Sequence, residues 1–333
     1  MRAIAAYEPL PIDDPASLRD VDVPEPEPRP TDVVIRVEAV SVNPVDVKKR
    51  AGGYGRSQTD SEPRVLGYDG AGTVVSAGPE VEGLEPGDEV WWSGDATRAG
   101  SNADLQAVDH RIVALKPSSV GFADAASLPL TALTAWETMF DHLRLNREDS
   151  GTLLIVGGAG GVGSVLTQLA SRLTALRVIA TASRDESRDW CLRMGADAVA
   201  DHRDLLASAR QLAPHGLEYV FSSYTPGNIG AYASLLKPFG HVVSIDGTDE
   251  SLLPLFAKSA TIHWEYMFAR ARYDAWDIAE QRRILDAVAD LVDRGEITTT
   301  ATERIDDFSA AGLREAHRLV ESGSMIGKVV VHR

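Results

Sequence analysis

The stretch Leu153-Leu154-Ile155-Val156 runs into Gly157-Gly158-Ala159-Gly160-Gly161-Val162-Gly163, and apolar residues at helical spacing follow. The run contains Gly-x-Gly-x-x-Gly at 158, 160 and 163. Alone, that pattern is weak, because glycine clusters are common in loops. Between a wholly apolar strand and a helix start it has the context it requires. One glycine permits the tight turn, one lets the main chain approach a pyrophosphate, and one lets the helix pack on its strand. Main-chain N–H groups and the helix dipole then hold the anion. The expectation is a dinucleotide held on Gly158, Ala159, Gly160, Gly161, Val162 and Gly163. The plainer alternative is a tight strand–helix turn with no ligand.

The next strand selects the nicotinamide cofactor. NAD-specific folds carry an Asp or Glu roughly 20 residues beyond the turn, bonded to the ribose. Here the chain reads Ala180-Thr181-Ala182-Ser183-Arg184, with a hydroxyl and a guanidinium where the acid belongs. Both suit a 2′-phosphate, the guanidinium by a bidentate geometry. NADP(H) on Ser183 and Arg184 is therefore expected, against a surface arginine that merely precedes a helix. Ser222, with Ser223, ends a later apolar strand and either touches the nicotinamide ribose or serves a turn. Cys191 is the one cysteine, so an intrachain disulfide and a thiolate cluster are excluded. Its helix neighbours Leu192 and Met194 mark it as inert core.

Those residues need a frame. From Thr152 onward, apolar strands (Thr152–Val156, Arg177–Ala182, Ala198–Ala200, Tyr219–Ser222, Val242–Ile245) alternate with helices (Val162–Leu173, Glu186–Met194, Ile229–Leu236). Pro238 and Gly240 are read as ending the third helix. Such alternation describes a parallel sheet covered on both faces, an α/β fold. The first third reads as strands and turns: Val33–Val42 and Gly72–Ser76 alternate in two-residue steps. Ala123–His142 has helical spacing interrupted at Pro129, and after Thr261–Phe268 helices return at Ala279–Arg294 and Ala311–Glu321. Lys328-Val329-Val330-Val331 is a terminal strand with no neighbour nearby in sequence, inferred to return to the first part of the chain. The expected division is 1–124, 125–266 and 267–333, the last piece rejoining the first.

The 333 residues carry 49 Asp+Glu against 33 Lys+Arg, a formal charge of −16. That argues against a general affinity for nucleic acid or anionic membrane, since both need a basic face. The uncharged stretch Gly151–Ser171 has the length of a membrane span. It also holds six glycines and the polar Thr152, Ser164, Thr167 and Gln168, which suit a lipid-facing helix poorly. The first fifteen residues contain no apolar core of signal-peptide length. A cytoplasmic protein is expected.

Several further motifs carry a family resemblance. Asn43-Pro44-Val45-Asp46, Gly67-Tyr68-Asp69-Gly70-Ala71-Gly72, the segment from Ala126 to Glu137 and the glycine turn resemble the medium-chain dehydrogenase/reductase superfamily. Gly94-Asp95, Gly100-Ser101-Asn102-Ala103 and His263-Trp264-Glu265-Tyr266-Met267-Phe268 resemble its quinone oxidoreductase and "zinc-type alcohol dehydrogenase-like" branch. The likeness spans nearly the whole chain. It implies a GroES-like β-rich catalytic domain built from both chain ends, a Rossmann doubly wound domain, a cleft holding NADPH, and a homodimer joined near Thr261–Phe268.

By family position, Asn43 and Thr134 fall near the nicotinamide, and Tyr54 matches a pocket tyrosine of quinone reductases that donates to the substrate oxygen or covers the cleft. His202 falls near the adenosine phosphate or on plain surface. Lys328 either reaches the cofactor or stays solvated. Trp264, Met267 and Phe268 form a pocket wall or core. Asp46 reads as a structural cap. Zinc members place Cys where Asn43 stands, Gly-His-Glu where Gly67-Tyr68-Asp69 stands, and Cys near Leu130. A catalytic zinc needs three nitrogen, sulfur or carboxylate ligands, so no metal is expected. The resulting expectation is a zinc-independent NADPH-dependent reductase of quinones or α,β-unsaturated carbonyl compounds. A zinc-type NADP-dependent alcohol dehydrogenase and a non-catalytic NADPH-binding regulator are the alternatives.

Overall fold

The computed structural model describes residues 1–53 and 62–333, which form two compact units, Met1–Leu130 with Phe268–Arg333, and Thr131–Met267. Among the described residues no helix is long and apolar enough to cross a membrane.

The first unit is β-rich. A seven-stranded sheet runs in the order Ala301–Ile305, Lys328–His332, Asp32–Ser41, Asp69–Ala77, Glu89–Ser93, Val113–Leu115, and Leu105–Asp109 also pairs with Asp32–Ser41. The strand Asp32–Ser41 turns only Arg36 fully outward, so both its faces feed a core with Trp92, Leu18, Ile35 and Val37. The terminal strand pairs antiparallel with it, Val330 opposite Ser41. Its other neighbour corrects the sequence reading: Ala301–Ile305 lies parallel beside it and comes from only some 25 residues upstream. That strand, Ala-Thr-Glu-Arg-Ile, exposes two adjacent charges and so carries no alternating signature.

The second unit holds a wholly parallel six-stranded sheet: Ala198–Ala200, Ala175–Thr181, Ser150–Val156, Leu217–Ser222, Leu236–Ser244, Thr261–Trp264. Numbered along the chain that order is 3-2-1-4-5-6, the doubly wound dinucleotide topology. The order reverses between Ser150–Val156 and Leu217–Ser222, and ligands of such sheets sit beyond the carboxyl ends of those strands. Pro238 and Gly240 do not end a helix here. The helix stops at Leu235, and both residues lie inside the strand Leu236–Ser244, where pairing jumps from Leu217–Leu236 to Tyr219–His241. A bulge tolerates proline because no ladder N–H is needed there. The last strand also stops earlier than its apolar run, at Trp264. Beyond Pro129, the helix Pro129–Trp136 passes into a π-helical turn, Glu137–His142.

Candidate active site

The glycine turn of the second unit sits at the reversal point. Gly157 adopts φ +83°, which makes the tight turn. Its N–H donates to Thr181 Oγ1 at 3.0 Å, and the Gly158 N–H donates to the Thr181 carbonyl at 3.2 Å, fastening the turn to the neighbouring strand. A Cβ on Gly158 would lie 2.6 Å from Ala180 Cβ, and one on Gly163 would overlap the Gly157 carbonyl oxygen. Gly160 differs. A Cβ there would meet only the Gly157 oxygen, at 3.4 Å, so the protein's own packing does not demand glycine. The helix Gly161–Leu173 starts here, and its first-turn N–H groups have no intrahelical acceptor. The helix's first turn thus offers N–H donors beside Gly160, where a Cβ would meet only one atom.

Ser183 is half-buried and Arg184 exposed, directly ahead of the helix Asp185–Arg193, with the Arg184 carbonyl tied to the Ser187 hydroxyl at 2.8 Å. His202 is exposed and opens a short 3-10 turn. Ser222 is fully buried: its hydroxyl lies 2.7 Å from Tyr232 Oη and 3.0 Å from Thr225 Oγ1, and accepts the Tyr224 N–H at 3.2 Å. Thr225 donates to Asp246 Oδ1 at 2.6 Å, so the ends of two strands are locked by one polar network. Burial lifts the Tyr232 phenol well above its ordinary value. Thr134 is buried on the helix Pro129–Trp136, and Met267 is buried, while Trp264 is half-exposed on the edge strand. Burial raises the Cys191 thiol to about 12, which keeps it protonated.

In the first unit the sequence motifs converge on one buried network. Asn43 caps the helix Pro44–Arg50, and its N–H donates to Asp46 Oδ2 at 2.8 Å. The Asn43 amide donates to Asp69 Oδ2 at 2.7 Å and to the Ser41 carbonyl at 3.4 Å, and its Oδ1 accepts from Lys328 Nζ at 2.5 Å. Asp69 accepts further from Ser41 Oγ at 3.1 Å and from the Leu130 N–H at 2.7 Å. Lys328 Nζ also donates to the Val42 carbonyl at 2.9 Å and reaches Asp69 Oδ2 at 3.3 Å. Its three protons are thereby committed inside the unit. Asp46 accepts the Gly67 N–H as well, and burial raises its carboxyl to about 7. The Tyr68 ring meets Phe268 edge-on at 4.9 Å, with Lys49 Nζ 4.9 Å from its centre. Tyr54 lies outside the described residues. Asp69 escaped notice as an individual residue. Its signal was its place in Gly67-Tyr68-Asp69, where zinc enzymes carry an acid.

Residues 29–131 match the alcohol dehydrogenase GroES-like domain family, and residues 194–331 match the zinc-binding dehydrogenase family. A zinc-type alcohol dehydrogenase-like protein from Staphylococcus aureus (strain MSSA476) is 40% identical over 309 residues, covering 90% of each chain. A 2-methylene-furan-3-one reductase from Solanum lycopersicum is 32% identical over 90% of this chain and 71% of its own. The solved structure of a mycobacterial protein, Rv1454c, complexed with NADPH superposes over all of both chains with a TM-score of 0.86 at 27% identity. The chain belongs to the medium-chain dehydrogenase/reductase superfamily, among relatives named zinc-type alcohol dehydrogenase-like.

The family names raise the question of zinc, which the residues at the metal position answer poorly. An amide stands for one thiolate, a phenol packed on Phe268 for the imidazole, and Leu130 for the other thiolate. The remaining acid, Asp69, is already bonded to an ammonium. These residues do not fit a zinc ion, which requires three good ligands and an open position. The glycine cradle does fit a dinucleotide.

Proposed function

We propose that this oxidoreductase is a zinc-independent, NADPH-dependent reductase of quinones or α,β-unsaturated carbonyl compounds. The observation that carries the reading is that Asn43, Tyr68 and Leu130 stand where zinc members carry their ligands, with Asp69 already engaged by Asn43 and Lys328, in a chain that retains the dinucleotide turn. Without a Lewis acid the acceptor must be electron-poor already. Quinones and enones are, because their π system carries the arriving charge onto an oxygen, where a single donor stabilises it. The Solanum enone reductase and the NADPH complex among the relatives point the same way.

The segment from Gly158 through Ala159, Gly160, Gly161 and Val162 to Gly163 would hold the pyrophosphate, and Ser183 and Arg184, with His202 beyond them, the 2′-phosphate. Thr134 and Ser222 serve the nicotinamide end, Ser222 by fixing the strand terminus. Bound NADPH supplies the hydride. Trp264, half-exposed on the edge strand, would offer an apolar face to a flat acceptor, and Tyr54 would donate its phenol proton to the acceptor oxygen. An unperturbed phenol, with a pKa near 10, stays protonated at neutral pH. Asn43, its amide bonded inward, shapes the site.

NADPH oxidation against a panel of quinones and enones tests the proposal, and Tyr54→Phe should cut turnover while leaving NADPH binding intact. Binding of NADPH with silence across the panel would leave a cofactor-binding regulator instead. Turnover of simple alcohols that a chelator abolishes would restore the zinc-type reading.

A further inference from the structure

We infer that Trp190 is a positioning residue for the coenzyme. Through Ser164 it couples the helix that begins beside Arg184 to the glycine turn, so that the groups for the 2′-phosphate and for the pyrophosphate stand at one fixed spacing. This coupling rests on the NADPH reading above and lies wholly within the second unit.

The helix Asp185–Arg193 meets the turn at two places. A Cβ on Gly158 would come within 3.2 Å of Cys191 Sγ, so the helix's buried cysteine lies against the turn. The second place is polar. The Trp190 indole N–H donates to Ser164 Oγ at 2.8 Å, and the Ser164 hydroxyl donates to the Gly160 carbonyl at 2.7 Å. These directions are fixed, because an indole nitrogen only donates and a hydroxyl has a single proton. An apolar ring would cover the same surface, but only the indole adds a donor at its edge. The Arg193 guanidinium, 5.5 Å from the ring centre, helps to hold that ring in place.

The last bond of the chain sets the aim of a donor. The Gly160 carbonyl also accepts the Ser164 N–H at 2.9 Å, so it is drawn into the helix Gly161–Leu173. A peptide is planar and trans, so the Gly161 N–H points the opposite way, out of the helix start, where an anion would be held. At the head of the other helix, the Ser187 hydroxyl accepts the Arg184 N–H at 3.3 Å and donates to the Arg184 carbonyl at 2.8 Å. The Arg184 main chain therefore moves with its helix, and one rigid element carries both the arginine and the indole. NADPH would use both places and gains from a spacing set before it arrives, whereas NADH uses the turn alone.

Dissociation constants of the full chain for NADPH and NADH test the coupling. Trp190→Phe keeps a ring and deletes the donor. It should weaken NADPH binding by about three- to tenfold, the worth of one neutral hydrogen bond, while NADH binding falls less. In an Arg184→Ala background the same substitution should treat the two coenzymes alike, because the group it positions is gone. An affinity ratio that Trp190→Phe leaves unchanged, or a shift that is the same with and without Arg184, would show that Trp190 acts by packing alone and would overturn the inference. If Trp190→Phe fails to fold, Ser164→Ala removes the middle of the chain and should shift the ratio in the same direction; an unshifted ratio there overturns the inference equally. A wild type that binds NADH as tightly as NADPH would remove the NADPH reading and the coupling with it. A wild type that prefers NADPH, beside an indifferent Trp190→Phe, removes the coupling alone.

Discussion

Arg184 and His317 illustrate how one side chain's surroundings set a measurable outcome. Arg184 is exposed at the end of the second strand, where a 2′-phosphate would receive a charge-assisted bond. Arg184→Ala should weaken NADPH binding by roughly 1.5–3 kcal/mol, the worth of such a bond, and leave NADH nearly untouched. Equal NADPH dissociation constants in wild type and variant would remove the assignment. His317 is buried on the helix Ala310–Glu321, and among the described residues neither ring nitrogen has a hydrogen-bond partner. Burial, with the Arg50 charge adding to it, lowers its pKa to about 3. The unfolded chain binds a proton here near pH 6.5, and the folded chain does not. Stability from this group is therefore complete above pH 6.5 and drains away as pH falls toward 3. The stability difference between wild type and His317→Leu should shift toward the variant by about 1.4 kcal/mol per pH unit across that window. Urea titrations at pH 7 and pH 5 measure it, and a difference independent of pH would show the ring is not held neutral.

The turn between Ser150–Val156 and Gly161–Leu173 shows elements making demands that differ by position. Gly163 is glycine because the helix lies against the turn, while Gly160 has room for a methyl group in the protein alone. Gly163→Ala should lower the melting temperature with or without cofactor. Gly160→Ala should melt like wild type and lose roughly tenfold in NADPH affinity, about 1.4 kcal/mol. Equal thermal losses in the two variants would show that packing governs both positions. This turn was legible in the sequence, because a wholly apolar strand, a glycine run and an amphipathic helix follow one another in the one order the chemistry uses. Where one residue type served two environments, the reading failed. Pro238 looked like a helix stop and is a bulge in a strand. Ala301–Ile305 carries no alternating pattern that would mark it as a strand, because two adjacent charges point to water. Lys328 heads a run of valines, and no periodicity says whether such a lysine faces water or a buried carboxylate. Only the sheet, which brings it to Asp69 across more than 250 residues, decides that.

For the molecule as a whole, the parallel sheet leaves one question open at its edge. Among the described residues, Thr261–Trp264 pairs only with Leu236–Ser244, so its outer N–H and C=O groups face away from the sheet. Thr261 is exposed, Trp264 is 48% exposed, and Tyr266 just beyond is 38% exposed. Soluble proteins usually blunt such an edge with lysines, prolines or a covering element, and this strand carries neither Lys nor Pro. A second copy offering the same edge would satisfy both, so a homodimer joined there is expected. The formal charge of −16 per chain opposes that approach at low ionic strength and is screened across about 8 Å in physiological salt. Sedimentation at micromolar concentration should therefore give a dimer that weakens as salt is removed. Thr261→Lys with Trp264→Lys, which places like charges on both edges, should give a monomer whose NADPH affinity matches wild type, since the cradle lies three strands away in sheet order. A monomeric wild type, or a dimer indifferent to both lysines, would assign the edge some other cover.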